Sequence, residues 1–78
     1  MAKTLRTAGH KALVAILVAS RREAGLTQRQ LAERLKRPQS YIAKIEAGER
    51  RVDLIELVAI AKALKVDPRV LLERFLSW

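Results

Sequence analysis

Apolar residues recur along the chain at helical rather than strand spacing, in five stretches set apart by glycine, proline and capping residues. Leu13, Ile16, Leu17 and Ala24 mark the stripe of a first helix over 10–24, which ends at Gly25. Thr27 opens a second: its hydroxyl suits the first free amides, and Gln30 three residues on can reach back, the capping-box pattern. Leu31, Ala32 and Leu35 form its buried side. A third helix over 38–47 turns Ile42 and Ile45 inward. Pro38 fits its first position, where a missing N–H costs nothing, and Gly48 supplies its stop. Asp53 and Glu56 form a second capping box before a fourth helix through Leu64, with Leu57, Ile60, Ala61 and Leu64 inward. Asp67 and Pro68 start the fifth, over about 68–76, carrying Val70, Leu71, Leu72, Phe75 and Leu76. No stretch alternates strictly, and no repeat or low-complexity linker interrupts the pattern. The pattern predicts one compact all-α, five-helix domain over 10–78, preceded by a flexible basic arm at 1–9.

Composition narrows the function. At 78 residues the chain is too short for most enzyme folds and for a second, ligand-binding module. Without cysteine it has no disulfide, no thiolate metal site and no thiol nucleophile. His10 is the single histidine, close to the expected arm, and no motif sets it beside an acid or a nucleophile. No glycine-rich phosphate loop occurs, so neither an enzyme nor a cofactor nor a metal is expected. A domain this small without staples is expected to gain stability by dimerising.

Sixteen Lys and Arg against 8 Asp and Glu give a net charge of +8, which points to a polyanion, either nucleic acid or an acidic membrane surface. Lys3, Arg6 and Lys11 precede an eight-residue apolar run at 12–19, followed by Ser20, in the manner of a secretory leader. That run is short, Arg21 and Arg22 follow it at once, and cleavage there would remove the first helix. A membrane span needs about 20 apolar residues, which the chain lacks. The buried-face periodicity of all five segments also speaks against a basic helix lying on a membrane. The expectation is a cytoplasmic, nucleoid-associated protein with no membrane partner.

The informative stretch is 25–52. Winding the third helix at about 100° per residue sets Ile42, Ile45 and Glu46 on one side and Gln39, Ser40, Ala43, Lys44 and Ala47 on the other. This second face is narrow, small and hydrogen-bonding, as a helix entering the roughly 12 Å major groove requires. Gln pairs bidentately with adenine, Lys donates to guanine, and Ala meets a thymine methyl. An ordinary solvated helix would have a similar composition. Charge separates the two readings: residues 21–51 hold nine Lys and Arg against four Glu. Arg50 and Arg51 follow the helix, where a loop can grip phosphate, and the start of the second helix offers free amides and Gln28.

Three motifs in order carry a resemblance. Gly-Leu-Thr-Gln-x-x-Leu-Ala-x-x-Leu at 25–35, Pro-Gln-Ser-Tyr-Ile-x-Lys-Ile-Glu-x-Gly-Glu-Arg-Arg at 38–51 and Ile-Ala-x-Ala-Leu at 60–64 resemble the Cro/repressor-type, or XRE, helix-turn-helix family. The resemblance covers about 13–72 and implies a lambda-repressor-like, five-helix DNA-binding domain whose third helix reads the major groove. It implies a phosphate contact for Gln28, base reading by Gln39, Ser40 and Lys44, with Ala43 beside them, and backbone contacts for Arg50 and Arg51. It also implies a structural ion pair between Arg21 and Glu46.

Two positions depart from the family pattern. Lys36 stands where a glycine is usual in the inter-helix turn, so a left-handed position holds a Cβ at a cost of about 1 kcal/mol. Arg37 takes the cap position usually held by Ser or Thr, which weakens the cap and adds a phosphate-seeking charge. Tyr41 suits either a phosphate hydrogen bond or packing.

Val14, Val18, Leu72, Phe75, Leu76 and Trp78 add apolar area beyond one bundle's need and predict a homodimer with the fifth helix at the seam. Trp78 folding back onto its own domain is the alternative. The function expected is sequence-specific reading of double-stranded DNA by a dimeric repressor on an inverted repeat. The alternatives are an antitoxin bound to a toxin, a restriction–modification controller, an activator touching RNA polymerase, and an interaction module that kept the fold and lost DNA reading.

Overall fold

The computed structural model describes residues 7–78; of the expected arm at 1–9, residues 1–6 lie outside them. Five helices follow one another among the described residues: α1 (Ala8–Glu23), α2 (Gln28–Leu35), α3 (Gln39–Glu46), α4 (Leu54–Ala63) and α5 (Pro68–Leu76). The fold is all-α.

Hydrogen bonds of the chain's own side chains set most helix starts. The Thr7 hydroxyl accepts from the His10 amide at 3.1 Å, so α1 opens at Ala8, ahead of the expected start at residue 10. His10 is therefore buried within the first turn and does not sit in a frayed arm. Thr27 with Gln30, and Asp53 with Glu56, complete reciprocal capping boxes on α2 and α4. Asp67 caps α5, with Pro68 at its first position.

The start of α3 corrects the sequence expectation. Pro38 is the N-cap residue itself, extended at φ −63° and ψ 153°, and supplies no side-chain acceptor. Arg37 is not the cap: its amide donates to the Ala32 carbonyl at 3.0 Å and closes the end of α2. The residue before a proline is biased away from helical backbone, which fixes this division of roles.

Four helices end in the same reversal, with a left-handed residue at the turn: Gly25 (φ 74°), Lys36 (57°), Gly48 (77°) and Lys65 (59°). In each case the next amide donates back to a carbonyl five residues earlier, as in Leu26 to Arg21 and Val66 to Ala61. Lys36 is in the conformation its position predicted, and Lys65 repeats the exception.

The core draws on all five helices: Leu17 from α1, Leu31 and Ala32 from α2, Ile42 and Ile45 from α3, Ile60 and Ala61 from α4 with Leu64 at its cap, and Leu71 from α5. Ala32 and Ala61 are fully buried small residues on α2 and α4, which pack together. Ala24 is exposed at the C-cap of α1 and adds nothing to that core. The longest contact surface of α3 is with α2, and a second is with α1, leaving the rest of α3 to solvent.

Candidate nucleic-acid interface

Packing decides which face α3 presents. With Ile42 and Ile45 buried, Gln39, Ser40, Lys44 and Ala47 lie exposed, and Ala43 is half-buried between them. These side chains are short or flexible, so nothing bulky stands between the α3 backbone and an approaching groove.

An ion pair fixes the back of α3. Arg21 Nε donates to Glu46 Oε2 at 2.7 Å and Nη2 to Oε1 at 3.0 Å, while Nη1 donates to the Leu26 carbonyl at 2.6 Å. Gln28 Nε2 also donates to Glu46 Oε1, at 2.9 Å. Burial raises the Glu46 carboxyl, but the hydrogen bonds from Arg21 and Gln28 with the neighbouring positive charge outweigh it and hold the group below its ordinary range. The hydrogen bond from Arg21 to Glu46 correspondingly raises the guanidinium, against desolvation. Gln28, assigned to phosphate on sequence grounds, thus has its amide nitrogen seated on this pair at the start of α2.

The flanks of α3 converge on Tyr41. The Arg37 guanidinium lies 4.8 Å from the Tyr41 ring centroid and that of Arg50 4.7 Å from it. The Tyr41 hydroxyl donates to Glu56 Oε2 at 3.0 Å, so in this state its proton serves an internal acceptor. Burial and the bond to Glu56 push the Tyr41 hydroxyl above its ordinary value. Arg50 pairs with Glu56 Oε2 at 2.7 Å and donates to the Arg51 carbonyl at 2.8 Å. Hydrogen bonds from Arg50 and from the Asp53 amide, with a smaller one from Tyr41, hold the Glu56 carboxyl down at about 2. Arg51 is exposed on the same connection. Along the chain Glu56 shows only as a capping residue, because its spacing to Asp53 is local and its approach to Tyr41 is not.

Away from this surface lies an apolar face. Leu72, Leu76 and Trp78 are exposed, Phe75, Val14 and Val18 half-buried. Trp78 stacks on Phe75 at 5.7 Å between centroids, and both rings approach Gly9 of α1, so a Cβ at that position would stand 3.9–4.0 Å from them. Leu54 and Ile55, which the sequence reading left out, are 72% and 81% exposed at the start of α4. Leu54 and Leu72 line one open apolar cavity of about 240 Å³ with Leu13, Leu57 and Phe75.

The helix-turn-helix family matches residues 17–71, which include α2, the turn and α3. An XRE-family-like protein from Pseudomonas syringae pv. tomato str. DC3000 is 41% identical, superposes with a TM-score of 0.86, and is covered over 93% of its chain by 97% of this one. This chain belongs to the XRE-type helix-turn-helix regulators. As a member of that family it is a DNA-binding transcriptional regulator. The restriction–modification controller C.AhdI from Aeromonas hydrophila is 32% identical with a TM-score of 0.76, covering 83% of this chain and 98% of its own. The clp gene regulator ClgR from C. glutamicum is 26% identical with a TM-score of 0.80, covering 92% of this chain and 94% of its own. Among curated proteins no match is found. No helix among the described residues is long and apolar enough to cross a membrane.

Proposed function

We propose that this XRE-type regulator reads a specific double-stranded DNA sequence as a homodimer on an inverted repeat and acts as a repressor. The observation carrying the reading is the α3 face of exposed Gln39, Ser40 and Lys44 with half-buried Ala43, with Tyr41 beside it in the same helix, Arg37 before it and Arg50 and Arg51 after it. Gln39, Ser40 and Lys44 address base edges, with Ala43 offering a methyl contact, while Gln28, Arg37, Tyr41, Arg50 and Arg51 follow the phosphates. The exposed Leu54, Ile55, Leu72, Leu76 and Trp78 support association through α5, the start of α4 widening the seam. Two recognition helices then meet successive major grooves about 34 Å apart. A dimer seated on a promoter excludes polymerase, which makes it a repressor acting on cytoplasmic, nucleoid DNA.

A second reading, control of a restriction–modification system, draws on the likeness to C.AhdI over nearly all of that protein's length. The test common to both is selection of bound duplexes from a random library near physiological salt. Enrichment of an inverted repeat with half-site centres about 10 bp apart supports the dimeric reading. Binding that only fades with salt, without enrichment, defeats it. Location of the enriched repeat beside a restriction gene favours the second reading over the first.

A further inference from the structure

Glu56 is an acidic residue of α4 set among the cations that flank the recognition helix. Its Oε1 accepts from Arg50 Nη1 at 3.1 Å and from the Asp53 amide at 3.0 Å. Its Oε2 accepts from the Tyr41 hydroxyl at 3.0 Å and pairs with Arg50 Nη2 at 2.7 Å. Arg50 is further held by the Arg51 carbonyl and by the Tyr41 ring, against which Arg37 also rests. One carboxylate thus anchors Tyr41 in the first turn of α3 and Arg50 just beyond its last, while 37% of the Arg50 side chain stays exposed.

We infer that Glu56 is a positioning residue for DNA reading: it fixes Arg50 and Tyr41 in one geometry and thereby raises discrimination between cognate and random duplex, at some loss of affinity for random duplex. This rests on the DNA-reading function proposed above. A carboxylate beside phosphate-seeking cations repels the DNA backbone, so attraction alone would be served better by a neutral residue. A free Arg side chain follows phosphate on any duplex. A clamped one contributes only where the backbone lies in register with it, and it has already given up its rotamer freedom before binding.

Glu56→Gln separates this role from capping. Gln keeps an acceptor for the Asp53 amide, as Gln30 does for Thr27 in this same chain, but sets an amide donor where Arg50 now meets a carboxylate oxygen. Wild type, Glu56→Gln, Arg50→Ala and the double variant of the full chain are titrated against the library-selected duplex and a random duplex over a series of salt concentrations. Glu56→Gln is expected to lose about tenfold on the selected duplex. On random duplex it is expected to bind as well or better, with a salt slope steeper by up to about one. In the Arg50→Ala background it removes less discrimination than in wild type, only the part that runs through Tyr41. Equal loss on both duplexes with a lowered melting temperature, or additive losses in the double variant, overturns the inference. Unchanged discrimination in Glu56→Gln overturns it while leaving the DNA reading intact. A wild type that enriches no sequence overturns both.

Discussion

Arg21 of α1 and Glu46 at the last position of α3 meet in a two-pronged pair, 2.7 Å at its shorter contact, with side chains only 10% and 9% exposed. Since Arg21 also closes on the Leu26 carbonyl and Gln28 joins at Glu46, one guanidinium ties the first helix, the turn after it and α3 together. Removing one member leaves a buried charge without its counter-charge, held only by the neutral Gln28 amide or the Leu26 carbonyl. Arg21→Ala or Glu46→Ala is expected to destabilise the domain by about 3–5 kcal/mol, seen as a lower urea midpoint. A change below about 1 kcal/mol would class the pair with solvated surface bridges.

The turns offer a gain in stability. Lys36 and Lys65 occupy left-handed backbone that Gly25 and Gly48 adopt without a Cβ. Lys36→Gly and Lys65→Gly are each expected to stabilise by roughly 0.5–1 kcal/mol, since relief of the left-handed strain exceeds the entropy lost by a freer unfolded chain. Gly25→Ala and Gly48→Ala are expected to act in the opposite sense by about 1 kcal/mol. Thermal unfolding of the four variants checks the sign at each turn.

Acid unfolding follows from the two glutamates. Glu56, held at about 2 against an ordinary 4.5, and Glu46, also held below 4.5, bind protons less readily in the folded state. The Glu56 contribution is complete above pH 4.5 and disappears as pH falls toward about 2, and Glu46 adds a loss of the same sign below 4.5. Melting temperature is therefore expected to drop across that window, and Glu56→Gln is expected to flatten part of the drop. A Glu56→Gln curve parallel to wild type would show that the pairing with Arg50 carries no proton linkage.

Base reading and phosphate gripping separate by their dependence on DNA sequence. Lys44→Ala is expected to cost about 1–3 kcal/mol on the cognate duplex and to relax preference at one base position. Arg51→Ala is expected to weaken all duplexes alike and reduce the salt slope by about one. Equal losses for both variants on cognate and random DNA would reverse or dissolve these assignments.

Association is probed best at residues that do no internal packing. Leu76 and Ile55 are 74% and 81% exposed, so Leu76→Asp and Ile55→Asp are expected to leave the fold intact, yield monomers in sedimentation at micromolar concentration, and weaken operator binding. Phe75→Ala and Trp78→Ala disturb both association and the packing against Gly9, and are expected to lower the melting temperature as well. A monomeric wild type at that concentration would remove the seam from the proposed function.

The helices, their order and the face that α3 buries are all legible along the chain. Caps and reversals are closed by atoms within a few residues of one another, as with Thr27 and Gln30 or Asp53 and Glu56, and the 3.6-residue period carries Ile42 and Ile45 inward whatever they pack against. Even Lys36 declared its left-handed turn. Pro38 was misplaced by one position because the closure of α2 through the Arg37 amide governs where α3 begins, and that bond belongs to the junction of two helices. Contacts that cross between elements emerge with the packing of the helices. Glu56 meets Tyr41 across fifteen residues, Trp78 folds over Gly9 from the far end of the domain, and Leu54 and Ile55 are left uncovered at the start of a helix that buries Ile60 and Ala61. Such meetings depend on the angles at which helices pack, which are set by the whole core at once and leave no periodic trace in any one segment.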